Sequence, residues 1–129
     1  MPLKKKVLIV DDEPALTSLL RANLEATGRY HVLEENISRF ALASACAFGP
    51  DVILLDVAMP EMDGGDIASQ LKNEARTRDV PIVFITALLA SEETPLGGVM
   101  SGGRRFLSKP VSVAEVIECI ESITGEKST

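Results

Sequence analysis

Positive charge is scarce in this sequence. Thirteen Lys and Arg stand against nineteen Asp and Glu, a formal net charge of -6. Binding nucleic acid by counterion release needs clustered cations. The one basic run, Lys4-Lys5-Lys6, leads straight into an apolar strand and reads as its solvated entrance. Cysteine is almost as rare: Cys46 and Cys119 lie far apart and fit no metal-ligand or CxxC spacing. Both fall in apolar helical patterns, so buried, reduced thiols are expected. Long hydrophobic runs are missing too. Stretches such as Val7-Leu8-Ile9-Val10 and Val52-Ile53-Leu54-Leu55 are far shorter than the roughly 20 residues needed to span a bilayer. The N-terminus carries no signal-peptide pattern, since its apolar stretch ends in Asp11-Asp12 without a cleavage site; a cytoplasmic protein with no membrane or nucleic-acid partner is expected. Neither a Walker A motif nor GxGxxG occurs, and there is no internal repeat, low-complexity segment or linker.

What is present suits one globular domain. The chain has 129 residues, 46% hydrophobic and 25% charged, enough to form a core but too short for two ordinary domains. Val7–Val10 reads as a strand covered on both faces. Pro14 then opens a helix marked by Leu16, Leu19, Leu20 and Leu24 and stopped by Gly28. Tyr30–Leu33 reads as a second strand, and Ile37–Phe48 as an Ala-rich helix closed by Gly49-Pro50. Val52–Leu55 is the third strand, a third helix begins near Gly64, and Ile82–Ile85 and Phe106-Leu107 are the fourth and fifth strands. The last helix carries a capping-box pattern at Ser112 and Glu115, an apolar face of Val113, Val116, Ile117, Ile120 and Ile123, and a stop at Gly125. Strands alternating with helices imply a parallel, doubly wound α/β sheet.

In such sheets ligands bind beyond the carboxyl ends of the strands. The first strand ends in Asp11-Asp12, the third in Asp56 and the fourth in Thr86, and Lys109 stands just past the fifth. Three acids gathered at one edge repel: at ~5 Å and an effective dielectric of ~20, each pair costs on the order of 3 kcal/mol. A hard divalent cation with oxygen ligands relieves this, and Mg²⁺ accepts a few carboxylates together with waters and phosphate oxygens. Asp11 and Asp12 could instead serve the helix N-terminus that follows them, and Asp56 could merely turn the chain. Convergence favours chemistry. A carboxylate projecting from a rigid apolar strand can attack phosphorus in line to give an acyl phosphate. The cation, Lys109 and the Thr86 hydroxyl would neutralise and position the phosphoryl oxygens.

Four stretches then stand in order: Asp11-Asp12-Glu13-Pro14; Asp56-Val57-Ala58-Met59-Pro60-Glu61-Met62-Asp63-Gly64; Thr86-Ala87; and Phe106-Leu107-Ser108-Lys109-Pro110. From about Lys5 to Thr124 the chain resembles the receiver domain of two-component response regulators, chemotaxis regulators among them. The resemblance implies a flavodoxin-like sheet of order 2-1-3-4-5 with five helices; the chain length makes this a single domain over 1–129 with its core at about 5–124, and the polar tail Glu126–Thr129 is expected to fray. It implies that Asp56 accepts a phosphoryl group from a histidine kinase or histidine phosphotransfer protein and so switches contacts with a downstream protein target. It implies Mg²⁺ (or Mn²⁺) held by Asp12 and Asp56 directly, by Asp11 mainly through water, and by the backbone carbonyl of Ala58. Thr86 and Lys109 would bind the phosphoryl group, Phe106 would be the aromatic switch, and the Lys109-Pro110 bond would be cis. Such a protein is a signalling switch and not an enzyme in the ordinary sense.

Two departures from the family pattern bear on behaviour. Ala58 and Leu88, each two positions past a site residue, cannot orient a hydrolytic water, so self-dephosphorylation should be slow. Between Ser91 and Gly103 one proline and four glycines interrupt the usual fourth helix; mid-helix Gly costs ~1 kcal/mol and Pro ~3 kcal/mol relative to Ala. A short, mobile helix capped by Thr94, starting at Pro95 and ending near Ser101 is expected. An aspartate-nucleophile phosphatase of the haloacid dehalogenase type is disfavoured, because its D-x-D follows the first strand. A flavin-binding protein is disfavoured because the acidic first loop would repel a flavin phosphate. The serious alternative is a receiver-like interaction module that is never phosphorylated.

Overall fold

The computed structural model describes residues 3–87, 99–101 and 104–125. Its elements in chain order are β1 (Lys5–Val10), α1 (Pro14–Ala26), β2 (Tyr30–Glu35), a 3-10 turn (Ser38–Phe40), α2 (Ala41–Phe48), β3 (Val52–Asp56), α3 (Gly64–Lys72), β4 (Ile82–Thr86), β5 (Val99–Ser101), β6 (Arg104–Ser108) and α4 (Val113–Thr124). The sheet runs β2-β1-β3-β4-β6-β5. Five of these strands are parallel, in the flavodoxin-like order expected, with β6 in the place of the expected fifth strand.

The alternation of side chains along a strand explains the continuous apolar runs. Val7 and Ile9 enter one core with Val52, Leu54, Val83 and Ile85, closed by Leu20 and Leu24 of α1 and Val116 and Ile120 of α4. Leu8 and Val10 enter the opposite core with Ile53, Leu55 and Phe84, closed by residues of α2 and α3. Every residue of Val7–Val10 and Val52–Leu55 is fully buried, as a sheet covered on both faces requires. Helix α4 begins with the expected capping box: Ser112 Oγ accepts from Glu115 N–H and Glu115 Oε1 accepts from Ser112 N–H, each at 3.1 Å.

Four expectations need correction. The helix expected to end near Ser101 is not found at that position. Val99–Ser101 is a strand, antiparallel to β6 with Met100 opposite Arg105. Glycines at 97 and 98 and a β-branched Val99 disfavour helix there, and the edge of β6 offers backbone partners. The rest of that segment, with Leu88, Thr94 and Pro95, lies outside the described residues, among which four α-helices are present where five were expected. The helix expected from Ile37 starts at Ala41, because Ile37 is extended and Phe40 leaves helical geometry. Leu19 is 58% exposed; the inward face of α1 is Leu16, Thr17, Leu20 and Leu24. Cys46 is only half-buried, whereas Cys119 is buried.

Candidate functional site

The parallel register gathers the strand tips. Val10 is opposite Leu55, Asp56 opposite Ile85, and Thr86 opposite Ser108. Asp11 and Asp12 therefore leave β1 beside the end of β3, and Lys109 leaves β6 beside Thr86, whose carbonyl accepts the Lys109 N–H at 2.9 Å. One carboxylate oxygen from each of Asp11, Asp12 and Asp56 lies within 4.8 Å of the others. Asp11, Asp56 and Thr86 are buried, and Asp12 is exposed. Lys109 Nζ stands 3.0 Å from Asp11 Oδ2, 3.6 Å from Asp56 Oδ1 and 2.6 Å from Glu13 Oε1. The Asp11 Oδ2 contact is an ion pair and not an aligned hydrogen bond: that buried oxygen accepts none.

Crowded acids shift the protonation of the site. Burial, with the Asp11 charge beside it, pushes Asp56 from an ordinary 3.8 up to about 6, against the pull of Lys109 and the Ala58 N–H. Burial raises Asp11 as well, opposed by Lys109. Burial alone would lower the Lys109 ammonium, but Glu13, Asp11 and Asp56 override it and hold the group above the ordinary lysine range. Two buried acids with raised proton affinity and a third carboxylate open to solvent form a donor set that suits a hard divalent cation.

The β3–α3 stretch explains itself residue by residue. Met59 and Met62 pack into the core on the α2/α3 face. Asp63 caps α3, its Oδ1 accepting from Asp66 N–H at 2.9 Å. Gly64 N–H donates to Val57 O at 2.9 Å, and a Cβ at Gly64 would lie 2.6 Å from the carbonyl oxygen of Asp56. Only glycine lets α3 approach so close to the backbone of Asp56. Ala58, two past Asp56, is exposed. Phe106 lies half-buried in β6, its ring stacked on Phe84 with centroids 5.3 Å apart. The Lys109-Pro110 bond is cis.

Sequence reasoning missed four contributors. Asn36 Nδ2 donates to Asp11 O at 2.8 Å and to Thr17 Oγ1 at 3.0 Å. Thr17 Oγ1 donates to Glu34 Oε1 at 2.7 Å, locking α1 to β2 beneath the acidic pair. Isolated polar residues far apart in sequence give no signal of this kind. Glu13 was visible only as a letter in a motif, yet its carboxylate is the nearest partner of Lys109.

A doubly wound parallel sheet with an acid cluster and a lysine at its carboxyl edge defines a class, the receiver-type α/β fold. The sequence profile of the response regulator receiver domain matches residues 7–121, and the chain belongs to that family. It is 38% identical over 125 residues to Response regulator PleD of Caulobacter vibrioides, covering 97% of this chain and 27% of that protein. It is 33% identical over 118 residues to the DNA-binding dual master transcriptional regulator RpaA of Synechocystis, covering 92% of this chain and 48% of that one. The polar-differentiation response regulator DivK of Brucella ovis is 33% identical over 126 residues, 96% of this chain and 99% of its own length. Thus the chain spans about half of RpaA and about a quarter of PleD, but matches DivK nearly end to end. Among solved structures, the receiver domain of the Pseudomonas aeruginosa sensor histidine kinase PA1611, described with a magnesium ion coordinated in its active-site cleft, superposes with a TM-score of 0.78 at 28% identity, over 96% of this chain and 100% of that one. Among the described residues no helix is long and apolar enough to cross a membrane.

Proposed function

We propose that this chain, as a single receiver domain over 1–129, accepts a phosphoryl group on Asp56 from a phosphohistidine donor, either a histidine kinase or a histidine phosphotransfer protein. The observation that carries the reading is the meeting of three carboxylates within 4.8 Å with a lysine ammonium 3.6 Å from Asp56. Asp56 Oδ forms the new O–P bond as the P–N bond of the donor breaks, and the leaving imidazole takes its proton from solvent. Asp12 and Asp56, Asp11 through water, and the carbonyl of Ala58 would hold Mg²⁺ (or Mn²⁺), which supplies charge neutralisation for phosphoryl oxygens when bound. Lys109 takes a second phosphoryl oxygen and Thr86 a third.

Phosphorylation then acts as a switch on protein contacts. Thr86 and Phe106 lie on the strand faces that share the α2/α3-side core. Drawing the Thr86 hydroxyl toward the phosphoryl group vacates space beside β6 that the Phe106 ring can fill, a shift between two packings. The output is a protein target recognised in one packing. The likeness to PleD, RpaA and DivK supports a signalling role over an enzymatic one. Ala58 leaves the hydrolytic water unoriented, so the phosphoryl group persists. The test is direct: with Mg²⁺ and a small phosphodonor the protein gains the mass of one phosphoryl group, and Asp56→Asn abolishes the gain. A wild-type protein that stays unmodified would indicate the non-phosphorylated interaction module.

A further inference from the structure

Lys109 has three claims on its charge. Its ammonium is 2.6 Å from Glu13 Oε1, 3.0 Å from Asp11 Oδ2 and 3.6 Å from Asp56 Oδ1. The proposed acceptor is the farthest of the three and lies outside hydrogen-bond reach. Glu13 is the nearest. This residue occupies the N-cap of α1, yet its side chain makes no capping bond, the service that a polar residue commonly performs there. It reaches instead to a lysine 96 positions away. The Glu13 side chain is 59% exposed and that of Lys109 17%, while Asp56 is 4% exposed. Glu13 therefore holds the ammonium from the solvent side of the site, with the acceptor on the inner side.

We infer that Glu13 is a positioning residue that competes with the phosphoryl group for Lys109 and so biases the site toward its unmodified state. The inference rests on the phospho-acceptor reading above. A phosphoryl group on Asp56 brings close to two negative charges and three acceptor oxygens. To bind one of them, Lys109 must close the gap on its Asp56 side and loosen its hold on Glu13. The competing pair is half in solvent, and such pairs shift equilibria by no more than a few-fold. Glu13 thus tunes occupancy without gating it. An ion pair that merely decorates the surface has a different consequence: its removal leaves the site's affinity for phosphoryl-like ligands unchanged.

The experiment titrates beryllofluoride, a tetrahedral phosphoryl mimic, into the intact protein with saturating Mg²⁺. Glu13→Gln should tighten binding about two- to fivefold at low salt. That gain should shrink toward none at 1 M salt, where the screening length is about 3 Å. In a Lys109→Met background Glu13→Gln should change nothing. Glu61→Gln removes the same charge from an exposed residue paired with Arg39 and should leave affinity unchanged; it decides the matter where Lys109→Met binds too weakly to measure. Unchanged or weaker binding by Glu13→Gln overturns the inference, as does an equal gain from Glu61→Gln, which would mark a general field effect. Wild-type protein that takes up no beryllofluoride overturns the phospho-acceptor reading and this inference together, an outcome distinct from the others.

Discussion

Replacing Asp56 with asparagine should stabilise the metal-free protein, although it removes the residue on which the proposed activity depends. Burial and the neighbouring Asp11 raise the Asp56 carboxyl from 3.8 to about 6. At roughly 1.4 kcal/mol per pKa unit, ionising it in the folded chain costs about 3 kcal/mol more than in the unfolded chain. Asp56 is 3% exposed, so solvent screening removes little of this. Because the folded-state value is the higher one, the folded chain retains a proton that the unfolded chain has already shed between pH 4 and pH 6. Stability therefore falls as pH rises through that window, and the loss is complete above it. An amide at position 56 carries no charge and escapes the loss. In chelator-treated buffer, Asp56→Asn and wild type should have similar stability near pH 4. At pH 7.5 the variant should be more stable by about 3 kcal/mol, or roughly 10 °C in Tm for a chain of this size. Adding Mg²⁺ should raise the wild-type Tm and close the gap, since a ligand of the folded state stabilises by mass action. Paired denaturation curves across pH provide the assay. A variant less stable than wild type at pH 7.5, or a gain independent of pH, would refute the electrostatic reasoning.

Other consequences are simpler to state. Gly64→Ala places a Cβ 2.6 Å from the Asp56 carbonyl oxygen and 2.9 Å from Val57 Cα; it should cost about 1–3 kcal/mol in urea denaturation and weaken Mg²⁺ binding in a fluorescence or NMR titration. Ser112→Ala removes one half of the α4 capping box and should cost about 1 kcal/mol while leaving Mg²⁺ affinity unchanged. With Ala58 two residues past the proposed acceptor, the phosphorylated protein should persist for minutes or longer without a phosphatase; decay within seconds, followed by loss of phosphoryl mass, would contradict this.

The order of strands and the gathering of Asp11, Asp12, Asp56, Thr86 and Lys109 at one edge were legible because both follow from local pattern. Four-residue apolar runs bounded by turn residues and too short for a helix read as strands covered on two faces, and residues that follow parallel strands must share an edge. The capping box of α4 was legible for the same reason: Ser112 and Glu115 are near neighbours, and the bonds they make are local. Residues 99–101 were misread because their partner is the edge of β6, so pairing decided a conformation that propensity left open. Leu19 was misassigned because a helical stripe can be drawn through 16, 19, 20 and 24 or through 16, 17, 20 and 24. Only the Glu34 carboxylate that receives the Thr17 hydroxyl makes a threonine the inward residue. Glu13 shows the limit most clearly: its position in the chain was evident, but its choice of Lys109 over the helix end depends on a distance that only folding sets.

The central claim is that residue 56, and no neighbouring acid, carries the phosphoryl group. Treating the Mg²⁺-loaded protein with a small phosphodonor, trapping the acyl phosphate by borohydride reduction and sequencing the peptides by mass spectrometry tests it directly. The account predicts reduction product at position 56 alone. Product at Asp11 or Asp12, or at no position despite bound Mg²⁺, would contradict it.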